Sequence, residues 1–412
     1  MTWLPKSVVC LSYYDLRRFR SDAFAALILS LQLFPLAVAI AIASGLHPFY
    51  GIYCAAIASL LASIFGDSKI RVSAPNVVFI AVASSIVARE GVLALSLSTL
   101  LAGVLLIFLG AIGLGAAIQV LPRPVALGFS TGIAVLVVSQ ELPNLFGISS
   151  QILGDQAPFG LLRVLRHITQ IEPHAIILAI AALVLIVACR RKSRYVAAGL
   201  IGMTTGALLV KFGHFPVRTI EAFSASTAPF HLHLAGPFRL DLGSILAQAF
   251  AIAVLIAIES LQAINLATSL TGERFNPDGE LFVHGSVNIA SAFAGGLPAS
   301  GVSSYTSENA HAGAQTPMAG IMQAVFLVVF LLLLAPLVRF IPLPVISAII
   351  LASLCNMTNW REIPQLIKGQ PLAAGAWLAT SFLTIATDLP IAIAAGMFIA
   401  LFLYVRKRRL PS

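Results

Sequence analysis

The amino-acid sequence predicts an all-α membrane protein with about 14 transmembrane segments, arranged as two seven-segment repeats in opposite orientations. Three observations support this fold class: the apolar composition, the positions of the Lys and Arg residues, and two motifs that recur at nearly one offset. Of the 412 residues, 59% are hydrophobic and only 10% are charged, and the mean hydropathy is +0.96. A soluble domain carries about 25% charged residues, so this composition excludes an ordinary soluble fold.

Continuous apolar runs indicate that helices cross the membrane. The runs at Val92–Ile118 and Ile321–Leu337 approach or exceed the ~20 residues that a helix needs to span ~30 Å of hydrocarbon. Strands of a membrane β-barrel would alternate apolar and polar residues instead. We expect segments to begin near residues 21, 48, 74, 92, 123, 173, 195, 242, 279, 304, 316, 341, 371 and 389.

The positions of the positive charges predict the orientation of these segments. With both termini in the cytoplasm, 18 of the 25 Lys and Arg residues fall on the cytoplasmic side, as the positive-inside rule requires. Membrane topology therefore explains the net charge of +9, and we expect no nucleic-acid partner. The four cysteines show no metal-ligand spacing, so no metal site is expected. These features predict a multi-pass protein of the cell inner membrane.

Two pairs of similar motifs indicate an internal duplication. LPRPV at 121–125 resembles IPLPV 220 residues later, and VSAPN at 72–76 resembles ASGVSS at 299–304. An odd number of segments in each copy inverts the second copy relative to the first. The predicted organisation is a cytoplasmic N-terminal segment (1–20), a first repeat (21–215), an extracellular connecting loop (216–241), a second repeat (242–406) and a cytoplasmic tail (407–412).

The stretch GGLPASGVSSYTSENAHAG at Gly295–Gly313 is the most polar part of an otherwise apolar region. Non-helical backbone at membrane depth occurs only where protein buries it or where it lines a cavity. We therefore expect an extended segment at Pro298–Ser303 that leads into a half-helix in the tenth segment. The matching pair in the third segment is an extended Ile70–Ser73 and a half-helix after Pro75.

Two such half-helices would bring their N-termini together and form an anion site. Asn76, Ser303 and Ser304 would add amide and hydroxyl donors. The alternative is that small residues only permit close helix packing, which fits Gly295, Gly296 and Gly301. Packing does not account for Asn76 or for the Ser303–Tyr305 run.

Glu259 is the second unusual residue, because it lies well inside the apolar run AFAIAVLIAIESLQAINLATSL. An unpaired charge at membrane depth costs several kcal/mol, and such residues mark ion or proton paths. A carboxyl held away from water favours its protonated form. Glu259 is therefore the candidate residue for binding a coupling proton or sodium ion. The alternative is a residue near a helix end that reaches the interface.

Several stretches resemble the sulfate permease family of anion transporters, bacterial type, over residues ~20 to ~406. The resemblance is carried by 34–66, by VSAPN, and by IESLQAINLATSLTGERFNPDGEL, GSVNIASAFAGGLPASG and NAHAGAQTPMAG. It implies a core domain that moves against a gate domain, with the substrate held by the first, third, eighth and tenth segments. By position, the implied site residues are Leu36, Ile40, Asn76, Glu259, Ser303, Ser304 and Tyr305.

The sequence departs from the common family pattern in three respects. Many members have Arg where this chain has Tyr305, so the site loses a fixed positive charge. Most members also continue into a cytoplasmic STAS domain, whereas this sequence ends at RKRRLPS; the resemblance is therefore to the membrane domain without its C-terminal STAS domain. The carboxyl of Glu259 is kept, as in bacterial members that resemble cation-coupled symporters.

These features predict a secondary active transporter of a small anion, either a dicarboxylate, sulfate or bicarbonate, coupled to protons or sodium by alternating access. Alternatives are an anion exchanger or channel, a nucleobase-type proton symporter, and an intramembrane enzyme whose candidate ligands would be His231 and His233. We expect no enzyme activity and no cofactor other than the coupling ion. The expected partners are the anion, membrane lipid and a second copy of the chain as a homodimer, which the family resemblance implies.

Overall fold

The fold is described from a computed structural model, which covers residues 6–118, 122–148, 164–192, 197–213, 216–220, 241–357, 360, 362–369, 371–387 and 390–399. The first half comprises α1 (Lys6–Leu11), α2 (Leu16–Ala43), α3 (Pro48–Phe65), β1 (Ser73–Pro75), a 3-10 helix (Val77–Phe79), α4 (Ile80–Glu90), α5 (Val92–Ala111), α6 (Gly115–Ile118), α7 (Arg123–Leu145), a second 3-10 helix (Ile168–Gln170), α8 (Pro173–Lys192) and α9 (Ala198–Gly213). The second half comprises α10 (Leu242–Thr271), α11 (Pro277–Phe293), β2 (Ala299–Gly301), α12 (Ser303–His311), α13 (Met318–Val338), α14 (Leu343–Met357), α15 (Glu362–Gly369), α16 (Pro371–Ala386) and α17 (Pro390–Ile399). Within these residues, seven helices are long and apolar enough to cross a membrane: α2, α3, α5, α7, α8, α10 and α13.

The helices begin close to the predicted segment starts, with one clear correction. The first long helix begins at Leu16 rather than near residue 21, and α1 also lies in the part predicted as an N-terminal segment. Asp15 explains the early start, because its side chain accepts a hydrogen bond from the Arg18 backbone N–H at 2.8 Å and caps α2. The predicted tail (407–412) and most of the connecting loop (221–240) lie outside the described residues.

The two halves meet in a short, fully buried sheet. β1 and β2 pair antiparallel, with Ser73 opposite Gly301 and Pro75 opposite Ala299. The antiparallel direction agrees with two inverted copies, while the first strand lies slightly later than the predicted 70–73. The side-chain amide of Asn288 satisfies the backbone of β2, since it donates to the Ala299 carbonyl at 2.8 Å and accepts from the Ala299 N–H at 2.9 Å.

Helix α12 follows β2 directly and is short. Its nine residues correspond to about 14 Å at ~1.5 Å per residue, roughly half of a ~30 Å hydrocarbon layer. The polar stretch therefore folds into a strand followed by a short helix. The backbone of the strand is hydrogen-bonded within the protein, as non-helical backbone in an apolar environment must be.

Loops that are predicted to lie on the same side of the membrane contact each other in the structure. On the predicted cytoplasmic side, Glu273 pairs with Lys6 at 2.5 Å and with Lys69 at 2.6 Å. On the predicted outer side, the Ile220 N–H donates to the Ile341 carbonyl at 3.0 Å. Partial burial raises the pKa of the Glu273 carboxyl, but the hydrogen bonds from both lysines outweigh burial and hold that pKa below its ordinary value. This grouping agrees with the predicted alternation of spans.

The helices form two groups that correspond to the core and gate domains. In the core group, α5 packs against α10 and α11, and α13 packs against α2 and α3. In the gate group, α7 packs against α14 and α16, and α8 packs against α9 and α14. The two groups contact each other mainly where α9 and α14 meet α2 and where α4 meets α7. A cavity between the groups is therefore bounded by helices from both.

Close helix packing leads to a first testable prediction, at Gly51. A Cβ at Gly51 in α3 would lie 1.9 Å from the Ala37 carbonyl oxygen in α2, so Gly51→Ala must push two core helices apart. We expect Gly51→Ala to lower the free energy of unfolding by about 1–3 kcal/mol, the range for overpacked cores. The measurement is thermal unfolding of the detergent-solubilised protein.

Gly375→Ala is the matched control for Gly51→Ala. A Cβ at Gly375 on the exposed side of α16 would meet nothing within 4 Å. We expect it to leave stability unchanged or slightly raised, because Ala is the better helix former. Equal unfolding temperatures for the two variants would contradict the described contact between α2 and α3.

Candidate functional site

A cavity of about 690 Å³ lies between the core and gate groups. Core residues line it from α2, from β1 and the 3-10 helix that follows, from α10 and from α12. Gate residues line it from α7, α8 and α14. Six of the seven predicted site residues belong to the lining: Leu36, Asn76, Glu259, Ser303, Ser304 and Tyr305.

Ile40 is the predicted site residue that the structure does not place in the cavity. It is fully buried in the core, one turn beyond Leu36 on α2, and it is absent from the lining. Both Leu36 and Ile40 were implied by position in the family resemblance, and of the two only Leu36 lines the cavity. Leu36 is therefore the predicted contact from α2 that remains.

Asn76 and Glu259 are hydrogen-bonded to each other across the two halves of the chain. The Asn76 Nδ2 donates to the Glu259 Oε2 at 3.0 Å. The other end of the amide accepts from the Val78 N–H and caps the first 3-10 helix. The backbone N–H of Val78 thus holds the Asn76 amide so that its NH₂ group faces the carboxylate.

The N-terminus of α12 also borders the cavity. Val302 precedes the helix and makes no side-chain cap hydrogen bond. Ser303 is partly exposed and Ser304 is exposed, and both line the cavity. The first N–H groups of a helix have no partner within it and carry a partial positive charge. Such a helix start, with adjacent hydroxyls, is suited to bind an anion.

Gly301 fixes the position of this helix start against α10. A Cβ at Gly301 would lie 2.9 Å from the Ala263 Cβ and 3.0 Å from the Ser260 Cα, so any side chain there would separate β2 from α10. The Gly301 N–H also donates to the Ser260 Oγ at 3.0 Å. Because Ser260 follows Glu259, this contact sets the distance between the carboxyl and α12.

Sequence reasoning missed several polar residues of the lining. Gln262 and Asn265 extend a polar face from Glu259 along α10. Their spacing of three residues was a detectable signal, because residues three apart share a helix face. Arg123 and Arg190 also line the cavity, although their sequence positions were interpreted only as topology signals.

The charged side chains of the lining sum to a net negative charge. Two arginines, Arg123 and Arg190, share the cavity with three carboxylates, Glu259, Glu308 and Glu362. With every group ionised, the negative charges exceed the positive charges by one. An anion therefore meets an unfavourable field near Glu259 unless a proton or a metal cation neutralises a carboxylate.

A buried charged cluster lies next to β1 and was also missed. The Arg71 side chain is 1% exposed and forms an ion pair with Glu280 of α11, which is equally buried. The Arg71 Nη2 donates to the Ala62 carbonyl at 2.8 Å, and the His284 Nε2 lies 3.1 Å from the Ser73 Oγ. This cluster ties the start of the strand to α3 and α11, so Arg71 has a structural role besides the topology signal that its sequence position suggested.

Glu141 is a second buried carboxyl within a membrane-spanning helix, and it lies away from the cavity. It is 2% exposed on α7, and its Oε2 accepts a hydrogen bond from the Ser347 Oγ of α14 at 2.6 Å. Both helices belong to the gate group. His231 and His233, the candidate ligands of the enzyme alternative, lie outside the described residues.

Comparison with known proteins gives one consistent result. The family model described as "Sulfate permease family" matches residues 19–380. YvdB of Bacillus subtilis is 28% identical over 398 residues, which cover 96% of this chain and 75% of that protein. The bicarbonate transporter BicA of a Picosynechococcus species is 26% identical over 408 residues, with coverage of 95% and 71%.

A solved structure shows the same fold. The transmembrane domain of a cyanobacterial bicarbonate transporter BicA superimposes with a TM-score of 0.78 at 24% identity, covering 92% of this chain and 98% of that domain. This likeness confirms the predicted fold class, a helical membrane domain of two inverted seven-segment repeats. The relatives are transporters and not enzymes. Because the family model covers most of the sequence, the chain belongs to the sulfate permease family.

Proposed function

We propose that the chain is a secondary active transporter that moves a small anion together with a proton or a sodium ion. Transport proceeds by alternating access, as the core group moves against the gate group. The observation that carries this proposal is the hydrogen bond between Asn76 and Glu259 at 3.0 Å, inside a cavity that the N-terminus of α12 also lines. This arrangement supports an anion site and a cation site that lie side by side.

The anion binds at the start of α12. Backbone N–H groups of the first turn and the hydroxyls of Ser303 and Ser304 supply donors, and the helix dipole favours negative charge. At the start of α12, Tyr305 occupies the position where the family resemblance implies an arginine in many members. Binding therefore depends on directed donors and on neutralisation of the nearby carboxyl.

Glu259 binds the coupling ion. With Glu259 ionised, an anion in the cavity is repelled, because the charged groups of the lining already sum to a negative value. A proton on Glu259, or a sodium ion bound to its carboxylate, removes this repulsion. Each ligand then raises the affinity for the other by the same factor, which is the thermodynamic basis of symport.

The substrate belongs to the class of sulfate, bicarbonate or small dicarboxylates. YvdB carries the name of a sulfate transporter and BicA that of a bicarbonate transporter. Hydroxyl and backbone donors bind both tetrahedral and planar oxygen anions. We further infer that the protein acts in the inner membrane as a homodimer, with both termini in the cytoplasm.

Uptake into proteoliposomes tests this proposal. Labelled sulfate, bicarbonate and fumarate are offered with an inward proton gradient, with an inward sodium gradient, and with neither. We expect at least one anion to accumulate above equilibrium, and only when one of the two gradients is present. Flux that ignores both gradients would make the protein an exchanger or a channel, and uptake of an uncharged nucleobase alone would indicate the nucleobase-type symporter.

A further inference from the structure

We propose that Arg123 and Arg190 form a second anion-binding site at the mouth of the cavity. This site would bind a small oxygen anion or carboxylate before the anion moves on to α12. We call this transfer from the arginines to α12 the relay. The inference rests on the proposed function, because it assigns a further step on the path of the same anion. It gives these two residues a role beyond setting the membrane orientation.

The positions of the two arginines support a shared site. Arg123 is the first residue of α7 and Arg190 lies in the last turn of α8. The chain leaves α7 and enters α8 at their other ends, so these two termini belong to the same end of the gate group. Both side chains are exposed, and both line the cavity that contains Ser303 and Glu259.

These two arginines supply the positive charge of the cavity lining. Arg123 and Arg190 carry the two positive charges of the described lining. Glu259, Glu308 and Glu362 carry its negative charges. Arginine binds carboxylates and oxygen anions through a planar fork of donors and stays charged at every physiological pH. The two arginines would therefore attract an anion into a cavity whose other charged residues in the described lining are all carboxylates.

The two sites lie on different helix groups, so the arginines can pass an anion to α12 from one side of the membrane only. The arginines belong to the gate, whereas Asn76, Glu259 and α12 belong to the core. Motion of the core against the gate changes the distance between the two sites. The relay consequently serves only the membrane side to which the arginine end of the cavity opens, which is the cytoplasmic side in the predicted orientation.

The test compares Arg190→Gln with Arg191→Gln. Arg191 is the matched control, because it lies in the same last turn of α8 and carries the same charge but does not line the cavity. Arg123→Gln is the second test variant, and Arg190→Lys tests rescue. Anion transport is measured from each side in vesicles of sorted orientation, at low and at high ionic strength, after wild-type accumulation under a gradient has been established.

For transport from the membrane side that the arginines face, we expect Arg190→Gln and Arg123→Gln to raise KM about five- to tenfold at low salt, with kcat little changed. The increase in KM should become smaller at high salt, because salt screens the attraction between arginine and anion. Arg191→Gln should match the wild type, KM from the opposite side should not change, and Arg190→Lys should recover part of the loss. Equal KM values for Arg190→Gln and Arg191→Gln, or a loss of kcat alone, would overturn the relay while leaving the transporter intact. A wild type that moves no anion would overturn both proposals.

Discussion

Replacing Glu259 by Gln is expected to abolish gradient-driven accumulation of the anion, with a loss of at least about tenfold in initial concentrative uptake. Gln keeps the shape and can still accept a hydrogen bond from Asn76, but it cannot exchange a proton and binds a cation poorly. Because Gln is uncharged, the anion site at α12 should still bind its ligand. Equilibrative flux or anion exchange should therefore continue. The measurement is uptake by the variant with and without the gradient that drives the wild type.

Glu141→Gln is the matched control for this prediction. It also neutralises a buried carboxyl in a membrane-spanning helix, and Gln can still accept from the Ser347 hydroxyl. Since Glu141 lies outside the cavity lining, we expect Glu141→Gln to retain gradient-driven accumulation. If Glu259→Gln accumulates the anion as well as Glu141→Gln does, then Glu259 does not bind the coupling ion.

Replacing Arg71 by Met should destabilise the protein strongly. The substitution leaves Glu280 buried without its cation next to β1, and removing one partner of a buried ion pair costs about 3–5 kcal/mol. The Ala62 carbonyl also loses a donor. We expect a large drop in the unfolding temperature of the detergent-solubilised protein.

Two further variants separate the ion pair from general effects of charge. Arg71→Met combined with Glu280→Met should recover much of the lost stability, because an apolar pair of similar volume avoids an unpaired buried charge. Lys69→Met breaks a partly exposed pair with Glu273 and should cost no more than about 1 kcal/mol. If Arg71→Met and Glu280→Met lower the free energy of unfolding additively in the double variant, then the two residues do not act as a pair.

The architecture was predictable wherever local chemistry decides the structure. The recurring proline motifs located the starts of α7 and α14, and the polar stretch located β2 and α12, because exposed backbone is not tolerated in hydrocarbon. Glu259 was identified for the same reason, as a charge in an apolar run. In each case, leaving a polar or charged group unpaired in hydrocarbon would cost much free energy, and only a few structures avoid that cost.

The parts that the sequence did not reveal depend on contacts between distant residues. Arg71 looks like any cytoplasmic positive charge until α11 brings Glu280 and His284 to it. Arg123 and Arg190 likewise satisfy the positive-inside rule, and only the packing of the gate against the core places them in the cavity. Ile40 was implied by the family resemblance alone, and the packing of α2 in the core buries it away from the cavity.

The most direct test of the account is the coupling between anion binding and cation binding in the purified protein. Calorimetric titration with sulfate and with bicarbonate in detergent is carried out at low and at high pH, each with and without sodium, for the wild type and for Glu259→Gln. The account predicts that low pH or sodium tightens anion binding to the wild type, and that the variant binds the anion equally well under all conditions. Wild-type affinity that is independent of both pH and sodium would contradict the claim that Glu259 and the start of α12 form one coupled site.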